Sequence, residues 1–273
     1  MWVWTRITSR KWEDAWVERL RFAGEERLTL QYFPNSARMR IQVYCDLKKT
    51  VVQIKRLFGG EWKKLKSSDW APDPAKKRKP IAIRGRLAIC TEASDVKNGC
   101  IPLVIPAGMA FGTGEHVTTA SCLRFLCDIQ KDLPPSWRML DLGTGSGILA
   151  LAGEKLGASR VDALDFDPAC VRTSKANAKA NRCRHIRIRQ ADVLKTPLRG
   201  KYDLVTANLF SEVLIAAAGR ITGTLRPGSR LILSGILRTQ LAECRKAFQK
   251  RGVRMQKTVI RGKWASALCL RER

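Results

Sequence analysis

One ten-residue segment, in which an apolar strand runs directly into three alternating glycines, constrains the fold of this chain most strongly. It spans residues 139–148 and has the sequence MLDLGTGSGI. Glycine lets the backbone turn tightly and approach a ligand, and the first turn of the following helix presents free N–H groups. The segment therefore predicts a strand, a ligand-binding turn and a helix, as found at the binding edge of parallel α/β sheets.

The spacing of the glycines and the position of a later carboxylate indicate which class of ligand the turn binds. The pattern is G-x-G-x-G, and it departs from the dinucleotide pattern G-x-G-x-x-G because Ile148 occupies the third glycine position. A second apolar strand ends in Asp165, where a carboxylate is placed to accept hydrogen bonds from two ribose hydroxyls. These features predict a nucleoside ligand that needs no pyrophosphate cradle.

The remainder of the second half of the chain alternates between strand and helix patterns. We expect a strand at 230–234 and a helix at 239–251, and the last two strands, 253–261 and 264–270, follow each other without a helix. This order predicts a parallel α/β sheet that ends in an antiparallel hairpin.

The first 66 residues follow a different order, β-α-β-β-α-β, which is typical of a ferredoxin-like α+β domain. Its first helix is predicted at residues 11–23. Residues 67–80 hold three prolines and the basic run 76–79, so residues 67–105 are expected to form a linker and short strands. We therefore expect one domain at 1–66 and a second at 106–273.

The charge of the chain is strongly basic. It carries 51 Lys and Arg residues against 24 Asp and Glu residues, a formal net charge of +27. Such an excess favours contact with polyanions such as ribosomal RNA, although a solvated basic surface explains it equally well. Four arginines flank or occupy the third strand of the second domain: Arg182, Arg184, Arg187 and Arg189.

The lengths of the apolar runs argue against a membrane-spanning or secreted protein, and the spacing of the cysteines argues against a metal-binding protein. No run approaches the roughly 18 to 20 apolar residues that cross a bilayer, and the first residues lack a secretory apolar core. We therefore expect a cytoplasmic protein without membrane contact. The nine cysteines are scattered and show no metal-ligand spacing, which predicts free thiols and no metal site.

Two sequence patterns are similar to those of a known family. The Asp-x-Gly-x-Gly-x-Gly run with its later acidic strand end resembles class I methyltransferases that use S-adenosylmethionine. Residues 106–119, PAGMAFGTGEHVTT, resemble the F-G-T-G-x-H-x-T-T signature of the ribosomal protein L11 methyltransferase (PrmA) family. Residues 206–210 and 264–268 are similar to further elements of that family, so the resemblance covers about residues 81–273.

The resemblance implies a fold, a cofactor and a reaction. The fold would be a seven-stranded, Rossmann-like methyltransferase sheet preceded by the small ferredoxin-like domain, which would present the substrate. The cofactor would be S-adenosylmethionine, and the substrate would be lysine side-chain or N-terminal amino groups of ribosomal protein L11, free or ribosome-bound. We expect the enzyme to be a monomer.

The resemblance also implies particular site residues. Asp141 would lie near the ammonium end of the cofactor, Asp165 at its ribose and Asp192 beside its adenine amino group. Asn208 would both contact the cofactor and orient the incoming amine, which makes it the candidate catalytic residue. The other implied contacts are Thr119, the glycines Gly143, Gly145 and Gly147, and a covering loop of Phe111, Gly112 and Thr113.

Several alternatives stay open at this point. His116 lies beside the glycine loop, where a histidine is more often a capping or packing group than a catalyst. The substrate could be a lysine of another protein, or RNA, since the +27 charge exceeds what is usual in the family. A binding protein without catalysis is the remaining hypothesis, and the intact loop signature argues against it.

Overall fold

The computed structural model of the chain describes residues 1–20, 28–33, 36–65, 79–96, 99–106 and 116–272. These residues form two compact units, Met1–Lys76 and Lys77–Arg273. No helix within the described ranges is long and apolar enough to span a membrane.

The first unit is a four-stranded antiparallel sheet with two helices. Its elements are β1 (Trp2–Ser9), α1 (Glu13–Arg19), β2 (Leu28–Tyr32), β3 (Arg38–Cys45), α2 (Lys48–Phe58) and β4 (Glu61–Lys64). The strand order is β2-β3-β1-β4, so each β-α-β unit is split by a strand of the other. This interleaving confirms the predicted ferredoxin-like domain.

Alternation along β3 builds the core of the first unit. Met39, Ile41 and Val43 are fully buried, while the residues between them are at least partly exposed. They pack with Trp4 of β1 and Ile54 of α2 in one apolar cluster. The predicted helix at 11–23 begins as a 3-10 turn at Arg10–Trp12 and continues as α1, and its last predicted residues lie outside the described ranges.

The second unit carries a seven-stranded sheet. Its strands are β8 (Arg138–Leu142), β9 (Arg160–Asp165), β10 (Ile186–Gln190), β11 (Tyr202–Asn208), β12 (Leu225–Leu237), β13 (Val253–Arg261) and β14 (Trp264–Arg271). The strand order is β10-β9-β8-β11-β12-β14-β13. This order confirms the predicted Rossmann-like methyltransferase sheet.

Helices cover both faces of this sheet. The helices are α3 (Val117–Ile129), α4 (Ile148–Lys155), α5 (Pro168–Ala180), α6 (Ser211–Gly223) and α7 (Leu241–Gln249). Residues of α3 and α4 belong to one apolar cluster, and residues of α6 and α7 belong to the other. A small sheet of β5 (Ile81–Ile83), β6 (Leu87–Cys90) and β7 (Ile101–Val104) belongs to the same unit.

The structure extends one predicted strand and adds detail to the predicted final hairpin. Strand β12 extends well beyond the predicted residues 230–234 because β11 pairs with its beginning and β14 with its end. The final hairpin is antiparallel as predicted, and its second strand lies between β12 and β13. Strand β14 takes the inner position because five of its eight residues are buried, whereas β13 carries charged side chains.

Candidate active site

The carboxyl ends of three neighbouring parallel strands form the candidate site. Strand β8 leads through Asp141 into the glycine turn, β9 ends at Asp165 and β11 ends at Asn208. Parallel strands share their direction, so these residues meet at one edge of the sheet, where α/β proteins bind ligands.

The turn after β8 requires its glycines. Gly143, Gly145 and Gly147 all have left-handed backbone conformations, with φ of +69°, +56° and +86°. A Cβ atom on Gly143 would lie 2.3 Å from Cδ2 of Leu209, and one on Gly147 would lie 3.0 Å from Cβ of Ser174. Gly147 then precedes α4 as its N-cap, so free N–H groups of the helix begin directly at the turn.

Asp165 is tied to the glycine turn and retains acceptor capacity. Its Oδ2 accepts a hydrogen bond from the Gly145 N–H at 2.8 Å, and its Oδ1 accepts one from the Asp167 N–H at 3.0 Å. The residue is only 6% exposed. A carboxylate offers about four lone-pair sites, so two remain for a pair of adjacent hydroxyls.

Asp141 lies completely buried beneath the turn. Its Oδ2 accepts a hydrogen bond from Thr144 Oγ1 and its Oδ1 accepts one from Thr206 Oγ1, each at 2.6 Å. Burial raises the pKa of Asp141 to about 6, although both hydroxyl hydrogen bonds act in the opposite direction. The carboxylate therefore joins the glycine turn to β11 and places a titratable acid directly below the site.

Asn208 is held by the first turn of α3. Its Nδ2 donates to the hydroxyls of Thr118 and Thr119, both at 3.4 Å. The two threonines are buried, and Asn208 is half-buried. No other hydrogen bond of the Asn208 side chain is found within the described part of the chain, so its Oδ1 is available as an acceptor.

His116 caps α3 and contacts the same threonine. Its Nδ1 lies 2.7 Å from Thr118 Oγ1 and accepts from the Thr118 N–H at 3.4 Å. The ring packs edge-on against Trp264 with a centroid distance of 5.7 Å. The pKa of His116 is lowered, first because the ring is partly buried and second because the Lys263 ammonium repels a second positive charge. His116 is thus a capping residue whose surroundings favour the neutral ring.

The remaining predicted residues divide into two groups. Asp192 follows β10, where its Oδ1 accepts from the Leu194 N–H at 2.8 Å and closes a turn. Its neighbour Ala191 donates its N–H to the carbonyl oxygen of Asp165 at 2.8 Å, so the turn begins beside the Asp165 backbone. The predicted covering loop of Phe111, Gly112 and Thr113 lies outside the described residues.

The site also contains residues that sequence reasoning missed. Thr206 and Leu209 support Asp141 and Gly143 from β11 and the residue just after it. Phe166 follows β9 directly, Phe210 lies two residues after the end of β11, and their exposed fractions are 74% and 68%. Large exposed aromatic side chains immediately after Asp165 and Leu209 were a signal available in the sequence, because such positions favour ligand contact.

These groups suit the cofactor that the sequence resemblance implies. The turn excludes side chains next to Asp165, so a ligand can approach the backbone closely. Asp165 can accept from both ribose hydroxyls, Phe166 offers a flat apolar surface for a base, and buried Asp141 contributes negative charge for a cationic ligand.

Comparison with known proteins gives a consistent result. A family model described as ribosomal protein L11 methyltransferase (PrmA) matches residues 6–272. The ribosomal protein L11 methyltransferase of Deinococcus radiodurans is 36% identical over 248 residues, covering 85% of this chain and 87% of that protein. The protein of the same name from Dictyoglomus thermophilum is 36% identical over 197 residues, covering 71% of this chain and 64% of its own length.

A solved structure adds a similarity in three dimensions. The ribosomal protein L11 methylase of Lactobacillus delbrueckii subsp. bulgaricus superposes with a TM-score of 0.64 at 28% sequence identity. The match covers 72% of this chain and the whole of that one.

Proposed function

This chain belongs to the ribosomal protein L11 methyltransferase (PrmA) family, and we propose that it transfers methyl groups from S-adenosylmethionine to amino groups of ribosomal protein L11. The observation that carries this proposal is the pairing of Asp165 with the glycine turn. Its carboxylate is held by two backbone N–H groups and keeps two acceptor sites for a ribose. A glycine turn without the Asp165 carboxylate beside it would support only a structural role for the turn.

The residues of this chain bind and orient the reactants. When bound, S-adenosylmethionine supplies a methyl group on a positively charged sulfur. The glycine turn and Asp165 would hold its methionine and ribose parts, Phe166 would pack on its base, and Asp192 would receive the adenine amino group. The threonines Thr118 and Thr119 would position Asn208, whose Oδ1 would accept from an N–H of the incoming amine.

Methyl transfer to an amine needs a neutral nitrogen held in line with the methyl group. Alignment of two bound reactants supplies much of the rate of such a displacement. A lysine amine has an ordinary pKa near ~10.4, and removal from water lowers it. The positive charge of a sulfonium nearby would lower the pKa further, because like charges repel. Lysine side chains and the N-terminal amine of ribosomal protein L11 are the proposed acceptors.

The first unit is the proposed substrate-presenting part, with limits close to the expected domain at residues 1–66. Truncation to residues 77–273 should leave S-adenosylmethionine binding intact, because every described cofactor-site residue belongs to the second unit. Methylation of the protein substrate should fall below detection. Full activity of the truncated chain would contradict the presenting role.

The test of the proposed function uses methyl-labelled S-adenosylmethionine and an unmethylated ribosomal extract, with and without ribonuclease. We expect label on one small ribosomal protein in both samples, and mass spectrometry then identifies the modified amines. Purified ribosomal protein L11 is the second substrate, and comparing its methylation with that in the extract shows whether the enzyme acts on the free or the ribosome-bound form. Label confined to RNA would overturn the proposal. Because the proposed substrate is a ribosomal protein, the proposed location of the reaction is the cytoplasm. Gel filtration tests the proposed monomeric state.

A further inference from the structure

One face of the seven-stranded sheet is left without a helix beside β9 and β10. The crossover connections from β8 to β9, from β9 to β10 and from β11 to β12 contain α4, α5 and α6. The connection from β10 to β11, residues 191–201, is described in full and contains no helix. Parallel sheets are normally covered on both faces, and here the β10 side chains on the face without a helix, Arg187 and Arg189, are exposed.

Arginine side chains line the exposed surface. A cavity of about 320 Å³ lies there, at the lower end of the range for ligand sites. Its wall includes one carboxylate, Asp162, and one phenol, Tyr202. The wall also includes Gly200 and five arginines: Arg138, Arg160, Arg187, Arg189 and Arg199.

The register of the strands places these arginines on one side. Ile186 and Ile188 of β10 pack against the apolar cluster formed by α3 and α4. Because side chains alternate along a strand, Arg187 and Arg189 point to the opposite face. Arg187 is the register partner of Asp162 on β9, which puts the two side chains next to each other.

The single carboxylate is already neutralised. Asp162 accepts from Nε and Nη2 of Arg160, both at 3.0 Å, and from the Tyr202 hydroxyl at 3.0 Å. The other four arginines have no ion pair within the described ranges. Nε of Arg138 is buried and finds no acceptor there, while its guanidinium carbon lies 5.4 Å from the Tyr202 ring centroid.

Unpaired guanidinium groups that share one cavity repel each other, and a bound anion would remove that repulsion. The planar guanidinium fork matches the oxygens of a phosphate, and the cavity wall contains arginine without lysine. A pocket for a small organic ligand would be lined mainly by apolar side chains, which this one is not. The chain also carries a net charge of +27, which favours a long polyanion over an isolated anion.

We propose that this arginine cavity binds the phosphodiester backbone of RNA. The inference goes beyond methyl transfer and does not depend on it. Arg138 and Arg160 begin β8 and β9, whereas Asp141 and Asp165 lie at the other ends of these strands. At about 3.3 Å per residue these two arginines lie roughly 10 to 17 Å from the site carboxylates, whereas Arg189 is the register partner of Leu164, the residue before Asp165. The cavity therefore extends along the strands toward the candidate active site, and its proposed role is to anchor RNA on the enzyme.

The test measures binding of the full-length chain to a fluorescein-labelled 20-nucleotide oligouridylate by fluorescence anisotropy between 50 and 300 mM KCl. The variant replaces Arg187→Gln and Arg189→Gln together, since both side chains are exposed and no core residue is changed. Loss of two phosphate contacts should reduce the slope of log K against log salt by about 1.4 and weaken binding about 25-fold at 0.1 M salt.

The matched control removes the same charge from the exposed side of α7 through Arg245→Gln and Lys246→Gln, and should weaken binding less than about 3-fold. The pair Arg187→Lys and Arg189→Lys should restore the salt slope. Methylation of isolated ribosomal protein L11 should be unchanged in all three variants. Failure of the proposed function would appear as absent methylation by the wild type, whereas failure of the RNA-binding proposal would appear only in the anisotropy measurements. Equal losses in the glutamine variant and the α7 control would overturn the proposal. So would equally tight binding of a glutamate oligomer of the same length, because the cavity would then accept an acidic protein segment.

Discussion

The hydroxyl of Thr206 donates to Oδ1 of Asp141 at 2.6 Å and joins β11 to the strand that carries the glycine turn. Thr144, within the turn, donates to the other oxygen of the same carboxylate. A fully buried acid thus holds together two of the three elements that form the candidate site.

This arrangement predicts a pH-dependent stability. The pKa of Asp141 is about 6 in the folded chain and about 3.9 in an unfolded one. The unfolded state therefore binds fewer protons between pH 4 and pH 6, and the contribution of this group to stability falls by up to about 3 kcal/mol as the pH rises.

Chemical denaturation of the wild type and the Asp141→Asn variant from pH 4 to pH 7 checks this prediction. The amide cannot ionise, and the threonine hydroxyls can rotate to accept from it. From pH 4 to pH 7 the free energy of unfolding of the wild type should fall by about 3 kcal/mol relative to that of the variant. A difference that stays constant with pH would contradict the assignment.

Substitution of Gly143 by alanine should destabilise the chain and weaken cofactor binding. The φ of +69° costs a non-glycine residue about 1–2 kcal/mol, and the new Cβ must displace the Leu209 side chain, which lies 2.3 Å away. Gly228→Ala is the matched control, because φ is +78° there and nothing lies within 4 Å. Thermal unfolding should show a larger loss at Gly143, and similar losses would mean that the Leu209 contact has no influence.

Removal of the Asp165 charge should weaken S-adenosylmethionine binding. Each hydrogen bond to a charged acceptor contributes about 1.5–3 kcal/mol, so loss of two should reduce affinity at least about a hundredfold. Isothermal titration calorimetry of Asp165→Ala measures the effect. Asp167→Asn is the control, since asparagine preserves the N-cap that Asp167 provides to α5. Unchanged affinity in the Asp165 variant would exclude this residue as the ribose acceptor.

Alanine at Asn208 should affect turnover more than cofactor binding. The proposed role of its Oδ1 is to orient the amine, so kcat should fall about a hundredfold while the S-adenosylmethionine Kd changes less than about tenfold. The control is Ser266→Ala, which removes a buried hydroxyl 2.7 Å from Ser234 Oγ. The Ser234 hydroxyl in turn donates to the carbonyl oxygen of Thr118, so the control alters the support of α3 without changing Asn208. Equal effects on Kd and kcat would indicate cofactor binding alone.

The glycine turn and Asp165 were predictable because their chemistry is local in sequence. Alternating glycines and an apolar strand impose a turn wherever they occur, and a strand that ends in a carboxylate presents it at the sheet edge. The sequence of elements in the first unit was equally predictable, because alternation along β3 and the helical period of α2 each mark a buried face.

The sequence by itself determined the class of fold, the family and the carboxylates available to a nucleoside. Tertiary structure decided which side chains support them, since Thr206 lies 65 residues from Asp141 and Thr119 lies 89 residues from Asn208. It also decided that β14 lies inside β13 and that Arg138 and Arg189 share one cavity. Such contacts depend on the order of the strands in the sheet and on the absence of a helix between β10 and β11. No local pattern of residues encodes either feature.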